Sequence, residues 1–249
     1  MKKSKLKKLL FIYLLFLSPN LVHVTSEHES IPPELVTKKE GDRKNQTDVL
    51  ERETRKELVR LEKSMTNLAL GAINNGYIHG ASVAIYYKQN LVFEVNEVFR
   101  NSTPLSIASV TKPFTSLAIM QLADNGLLKP NDPVSKYLPE ITKQFPPLEG
   151  KEITIRNLMQ HTSGIPYIGS RQIHPAGTKF MYSNYNYRLL ANIIEKVSGQ
   201  SYANYIKENI FLPLEMEDSM VSQTADGASG IAVSSRNLAN FANLFLQEG

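Results

Sequence analysis

The stretch Phe114-Thr115-Ser116-Leu117-Ala118-Ile119-Met120-Gln121-Leu122 reads as a helix that is apolar on nearly every side. Such a helix has to lie inside a core rather than on a surface. Pro113, tolerated in a first helical turn, fits a start here, and Asn125-Gly126 supplies the stop. The run therefore needs a domain large enough to enclose it, and 249 residues with 42% hydrophobic content suffice. It also raises a problem, because Lys112 falls at the buried end, three positions after Ser109. On a helix the two side chains share one face within mutual reach. A desolvated Lys112 amine can take the proton of the Ser109 hydroxyl and turn a weak nucleophile into a competent one. An N-capping serine and a snorkelling lysine satisfy the same spacing, so the pair alone leaves both explanations open.

The chain begins with Lys2, Lys3, Lys5, Lys7 and Lys8, followed by an apolar run from Leu9 to Leu17 that is too short to cross a bilayer comfortably. Ser18-Pro19-Asn20 and then Val24-Thr25-Ser26 suit signal-peptidase cleavage, so residues 1–26 are expected to be a secretory signal peptide and the protein to be exported, periplasmic or extracellular. An uncleaved anchor is the competing reading, and it is the one route by which a membrane would be engaged. Much of the net charge of +4 sits in those first residues, so no nucleic-acid partner is read from it. Residues 27–47 are polar, carry Pro32-Pro33 and show little periodicity, as a flexible linker would. The absence of cysteine excludes a disulfide framework, a thiolate metal site and a lipid-modified cysteine. His23 and His28 fall at the signal region, and His79 and His174 show no ligand spacing, so no metal site is expected, and no cofactor either.

A long helix is expected from Asp48, with Leu58, Leu61, Met65, Leu68 and Ala72 on its apolar face and a stop at Asn75-Gly76; it should cover a sheet. Ala81 to Tyr87 and Leu91 to Val95 are β-rich runs separated by Lys88-Gln89-Asn90, the pattern of a hairpin. Beyond the Ser109 helix, Asp132-Pro133 and Thr154 are expected to cap short helices. A longer helix from Tyr185 carries Leu189, Leu190, Ile193, Ile194 and Val197 and stops at Gly199; others start at Ser201 and Ser235.

Tyr182-Ser183-Asn184 sits in a turn just before the Tyr185 helix. A phenol with a cation nearby can shuttle a proton to a leaving group, and an asparagine amide can bind a substrate amide. With Ser109 and Lys112 upstream and His161-Thr162-Ser163-Gly164 between, the sequence resembles the serine β-lactamase and penicillin-binding protein superfamily. The branch it resembles is that of the class C β-lactamases and D-alanyl-D-alanine carboxypeptidases. The resemblance rests on several stretches in one order: Ala108 to Thr115, Asp132 to Pro139, His161 to Gly164, Pro175 to Asn184, Ile193 to Gly199 and Gly230 to Ser235.

The resemblance implies an α+β fold, a helical domain against an antiparallel sheet, over residues 48–249. It implies Ser109 as acylated nucleophile, Lys112 as its proton acceptor, Tyr182 as the partner in proton transfer to the leaving group, and Asn184 as a substrate-amide contact. The Ser109 N–H would be half of an oxyanion hole. His161 is expected to pack its loop rather than act as a base. The implied substrate is a peptidoglycan peptide or a small ester or β-lactam. The family's third motif, Lys-Thr-Gly or His-x-Gly on a strand, has no match before Gly249, so the sheet is expected to be incomplete. The same gap supports a second expectation, a non-catalytic relative serving as an envelope binding or interaction module. Oligomeric state is not legible.

Overall fold

The computed structural model describes residues 40–87, 90–100, 102–168 and 171–246. The expected signal peptide therefore lies outside the described residues. The chain divides into two compact units, Met1–Asn101 with Ala242–Gly249, and Ser102–Phe241.

In the first unit, helix α1 spans Glu40–Asn74 and the strands β1 (Ala81–Tyr87) and β2 (Asn90–Glu97) form the expected antiparallel hairpin. The helix starts earlier than Asp48, so the end of the expected linker is helical. Glu40, Arg43, Lys44 and Gln46 all have good helix propensity, and a segment can be polar on every side and still be helical. Leu61 and Met65 pack on Val83, Ile85 and Val95, which covers one face of the hairpin as expected. Leu68, placed on the same stripe by its spacing, is instead 55% exposed. The chain turns back through Gly76, at a φ of 70°, so the last turns of α1 place Ala69, Ala72 and Ile73 against Ile78 and Ala81.

The second unit is built around helix α2 (Thr111–Asp124), which follows a 3-10 turn at Ala108–Val110. Phe114, fully buried, stacks on Phe241 with ring centroids 3.6 Å apart and meets Phe211 edge-on at 6.0 Å. Helix α5 (Asn184–Ser198) contributes Leu189, Leu190, Ile193 and Ile194 to the core and ends at Gly199 in the left-handed conformation. The short helices α3 (Ile141–Gln144), α4 (Ile155–Met159) and α6 (Tyr202–Ile206) fill the connections, and α7 (Ser235–Asn243) brings in Leu238 and Phe241. Thr154 caps α4 through a reciprocal box with Asn157, and Ser201 caps α6, both as expected. Asp132 caps nothing. Its carboxylate instead accepts hydrogen bonds from the Lys129 N–H, Lys136 Nζ and the Tyr137 hydroxyl, which hold its pKa down to about 2.

A small antiparallel sheet, absent from the sequence reading, frames the buried helix. Its strands are β3 (Leu105–Ser106), β4 (Met220–Val221) and β5 (Ile231–Val233), in the order β3-β5-β4. Leu105 pairs with Val233, and the Ile107 N–H donates to the Ile231 carbonyl at 3.1 Å. This pairing fixes the chain immediately before Ser109. The loop that enters β5 meets the same helix, where the Gly227 carbonyl accepts from Thr115 and the Ala228 carbonyl from Lys112.

Candidate active site

Ser109 is delivered by a bend in the backbone. Ala108 has a φ of 44°, a left-handed value rare for a residue with a Cβ, and it turns the chain from β3 into the helix with the Ser109 side chain exposed. The serine caps neither the 3-10 turn nor α2. Its hydroxyl is engaged otherwise: Ser109 Oγ lies 2.7 Å from the Tyr182 hydroxyl and accepts a hydrogen bond from Lys112 Nζ at 3.0 Å. Lys112 is only 5% exposed, which rules out the snorkelling explanation, and its Nζ also donates to the Ala228 carbonyl at 3.0 Å.

The Ala228 carbonyl is held in place from behind. Asp226 accepts from the Ala228 and Ser229 N–H groups and pairs with Arg188 at 2.7 Å. Thr115 Oγ1 donates to the Gly227 carbonyl at 2.7 Å, much closer than the Thr111 carbonyl at 3.4 Å, so its 2.8 Å contact with Tyr202 is one in which the phenol donates. Gly227 has a φ of 77°, and a Cβ there would come within 2.5 Å of the Tyr187 carbonyl. A bare backbone is needed for this close approach.

Tyr182 is partly exposed and lies beside Lys112, whose Nζ is 4.9 Å from the ring centroid. Burial pushes the phenol pKa up, but the hydrogen bonds with Lys112 and Ser109 and the lysine charge outweigh it, leaving the pKa below its usual 10.0. The direction suits a proton acceptor. Behind it, His161 stacks on the Tyr182 ring with centroids 4.6 Å apart, and burial first, then the Lys112 charge, lower its pKa from 6.5. The Tyr187 ring also packs on the imidazole, with centroids 5.2 Å apart, and its hydroxyl donates to the Met159 carbonyl, its pKa raised chiefly by burial.

Of the four expected site residues, Ser109, Lys112 and Tyr182 are joined directly. Asn184 opens α5 two positions past Tyr182, and its Oδ1 is buried without a hydrogen-bond partner among the described residues. A buried acceptor left open is rare and marks a place where a donor is wanted. His161 packs its loop as expected. The sequence reading missed the Ala228 carbonyl, which no pattern announces because any residue type carries one.

An α+β fold that sets a serine hydroxyl against a buried lysine and a phenol defines the serine β-lactamase and penicillin-binding class of site. The chain belongs to that class: the β-lactamase family model matches residues 50–244. Among curated relatives it is 35% identical to Protein flp of Staphylococcus aureus (strain MW2), over 61% of this chain and 36% of that protein. The chain thus spans about a third of that relative's length. Among solved structures it resembles the octameric penicillin-binding protein homologue from Pyrococcus abyssi, with a TM-score of 0.66 and 24% identity, covering 74% of this chain and 56% of that one. It also resembles a class C β-lactamase in complex with cefoxitin, with a TM-score of 0.64 and 20% identity, covering 77% and 68%. These likenesses show the fold.

Proposed function

We propose that the protein is a serine hydrolase that forms an acyl-enzyme at Ser109 on a peptide, ester or β-lactam. The observation that carries this reading is the double engagement of Ser109 Oγ by Tyr182 and Lys112. With Tyr182 ionised beside the Lys112 ammonium, the Oγ proton passes to the phenolate oxygen as Oγ attacks the carbonyl carbon, and the neutral phenol so formed holds it for the leaving group. The same proton is then delivered to the departing amine or alcohol as the carbonyl–heteroatom bond breaks. The Ser109 N–H, at a helix start, serves as one oxyanion donor, and Asn184 is offered to a substrate amide. Peptides and esters rank ahead of rapid β-lactam turnover, because among the described residues no dedicated water-activating group stands beside Ser109 for deacylation.

Intact-mass measurement after incubation with benzylpenicillin or an activated ester tests the reading. It should show a single adduct, mapping to the peptide that contains Ser109. A folded protein that stays unmodified would instead support the second expectation, a binding module of the cell envelope.

Export belongs to the same proposal and rests on the lysine-rich start, the short apolar run and Val24-Thr25-Ser26. Mass spectrometry of the mature N-terminus should show loss of roughly the first 26 residues. A cytoplasmic product that retains Met1 would count against it.

A further inference from the structure

His161 grips the chain on both sides of Tyr182. Its carbonyl accepts from the Met181 N–H at 2.7 Å, and its Nδ1 accepts from the Ser183 N–H at 3.2 Å. The imidazole stacks on the phenol ring between these two bonds. Asn186 Nδ2, one turn into α5, approaches the same Nδ1 at 3.3 Å. The residue reaches this position through a φ of 56°, which swings its carbonyl and side chain toward the same strand of chain.

We infer that His161 is the positioning residue for Tyr182, and that it holds the phenol oxygen on Ser109 only while its imidazole is neutral with the proton on Nε2. A backbone N–H can only donate, so the bond from Ser183 requires a lone pair on Nδ1. Protonating Nδ1 would set two N–H groups against each other and place a second positive charge beside Lys112. The groups that face the ring are Lys112 from α2, Tyr182 from the loop and Tyr187 from α5; Phe180, 5.9 Å away, adds an apolar edge. Burial and the lysine charge both favour the neutral ring.

The inference rests on the acyl-enzyme reading for its catalytic consequence but not for its geometry, so two readouts separate them. The first is NMR titration with tyrosine labelled at Cζ and histidine labelled with nitrogen-15, in wild type, His161→Ala and His161→Asn. Wild type should show an unprotonated Nδ1 at neutral pH and a Tyr182 that titrates below an ordinary tyrosine. His161→Ala should return Tyr182 toward ordinary behaviour. Asparagine tolerates positive φ and offers an acceptor oxygen, so His161→Asn should restore much of the wild-type titration. The second readout is the acylation rate against pH. It should drop about 10²-fold in His161→Ala, the scale expected when a reacting group is misplaced by about 1 Å, and recover in His161→Asn. Wild type should also lose rate as the imidazole protonates, a limb that His161→Asn lacks.

A protonated Nδ1 in wild type would overturn the inference without any variant. So would a Tyr182 titration identical in all three proteins. A shifted Tyr182 titration with no acylation of wild type would uphold the clamp and overturn the acyl-enzyme reading alone.

Discussion

Tyr182 Oη stands 2.7 Å from Ser109 Oγ, closer to the serine oxygen than Lys112 Nζ at 3.0 Å. Lys112, which the resemblance offered as the proton acceptor, instead gives hydrogens to Ser109 and to the Ala228 carbonyl, so in the proposed reaction the acceptor is the Tyr182 phenolate. Tyr182→Phe should therefore lower the acylation rate by about 10²–10⁴-fold, the usual contribution of a positioned general base. The substituted ring keeps its stacking on His161, so thermal stability should change little. A rate within the error of wild type would remove Tyr182 from the proton path.

Stability should depend on the contact that anchors the Asp226 to Gly230 loop. Thr115→Val keeps the shape of a fully buried side chain but leaves the Gly227 carbonyl and the Tyr202 hydroxyl without a partner. Each buried group so stranded costs about 1–3 kcal/mol, which should appear as a lower urea midpoint at unchanged slope. An unchanged midpoint would show that the loop is held by other bonds.

Acid should destabilise the fold through His161. Its folded pKa lies below its unfolded value near 6.5, so between the two the unfolded chain binds more protons than the native one. Stability then rises with pH through that window and falls as the pH drops below about 6.5. Comparing denaturation midpoints of wild type and His161→Asn across this range isolates the histidine, because the variant lacks that slope. Parallel curves for the two proteins would contradict the assignment.

What the sequence made legible follows from how local each signal is. The capping residues Thr154 and Ser201, the Gly199 stop and the stripe of α5 are set within a few residues, and each appears where spacing placed it. The Ser109 and Lys112 pair was legible for the same reason, being one helical turn. Strands β3, β4 and β5 were not, because two or three residues carry no alternation and their pairing partners lie far along the chain. Asp132 was misread as a cap because capping and side-chain bonding draw on the same residue type, and only the nearness of Lys136 and Tyr137 decides between them. The grip of His161 depends on a left-handed φ and a tautomer, neither of which a motif displays.

Labelling with a fluorescent penicillin, followed by separation of the denatured protein, reads the Ser109 assignment most directly. Folded wild type should carry a covalent label that survives denaturation, Lys112→Ala should label far more slowly, and Ser109→Ala should not label at all. Persistent labelling of Ser109→Ala would contradict the nucleophile assignment, and a folded wild type that takes no label would contradict acyl-enzyme formation itself.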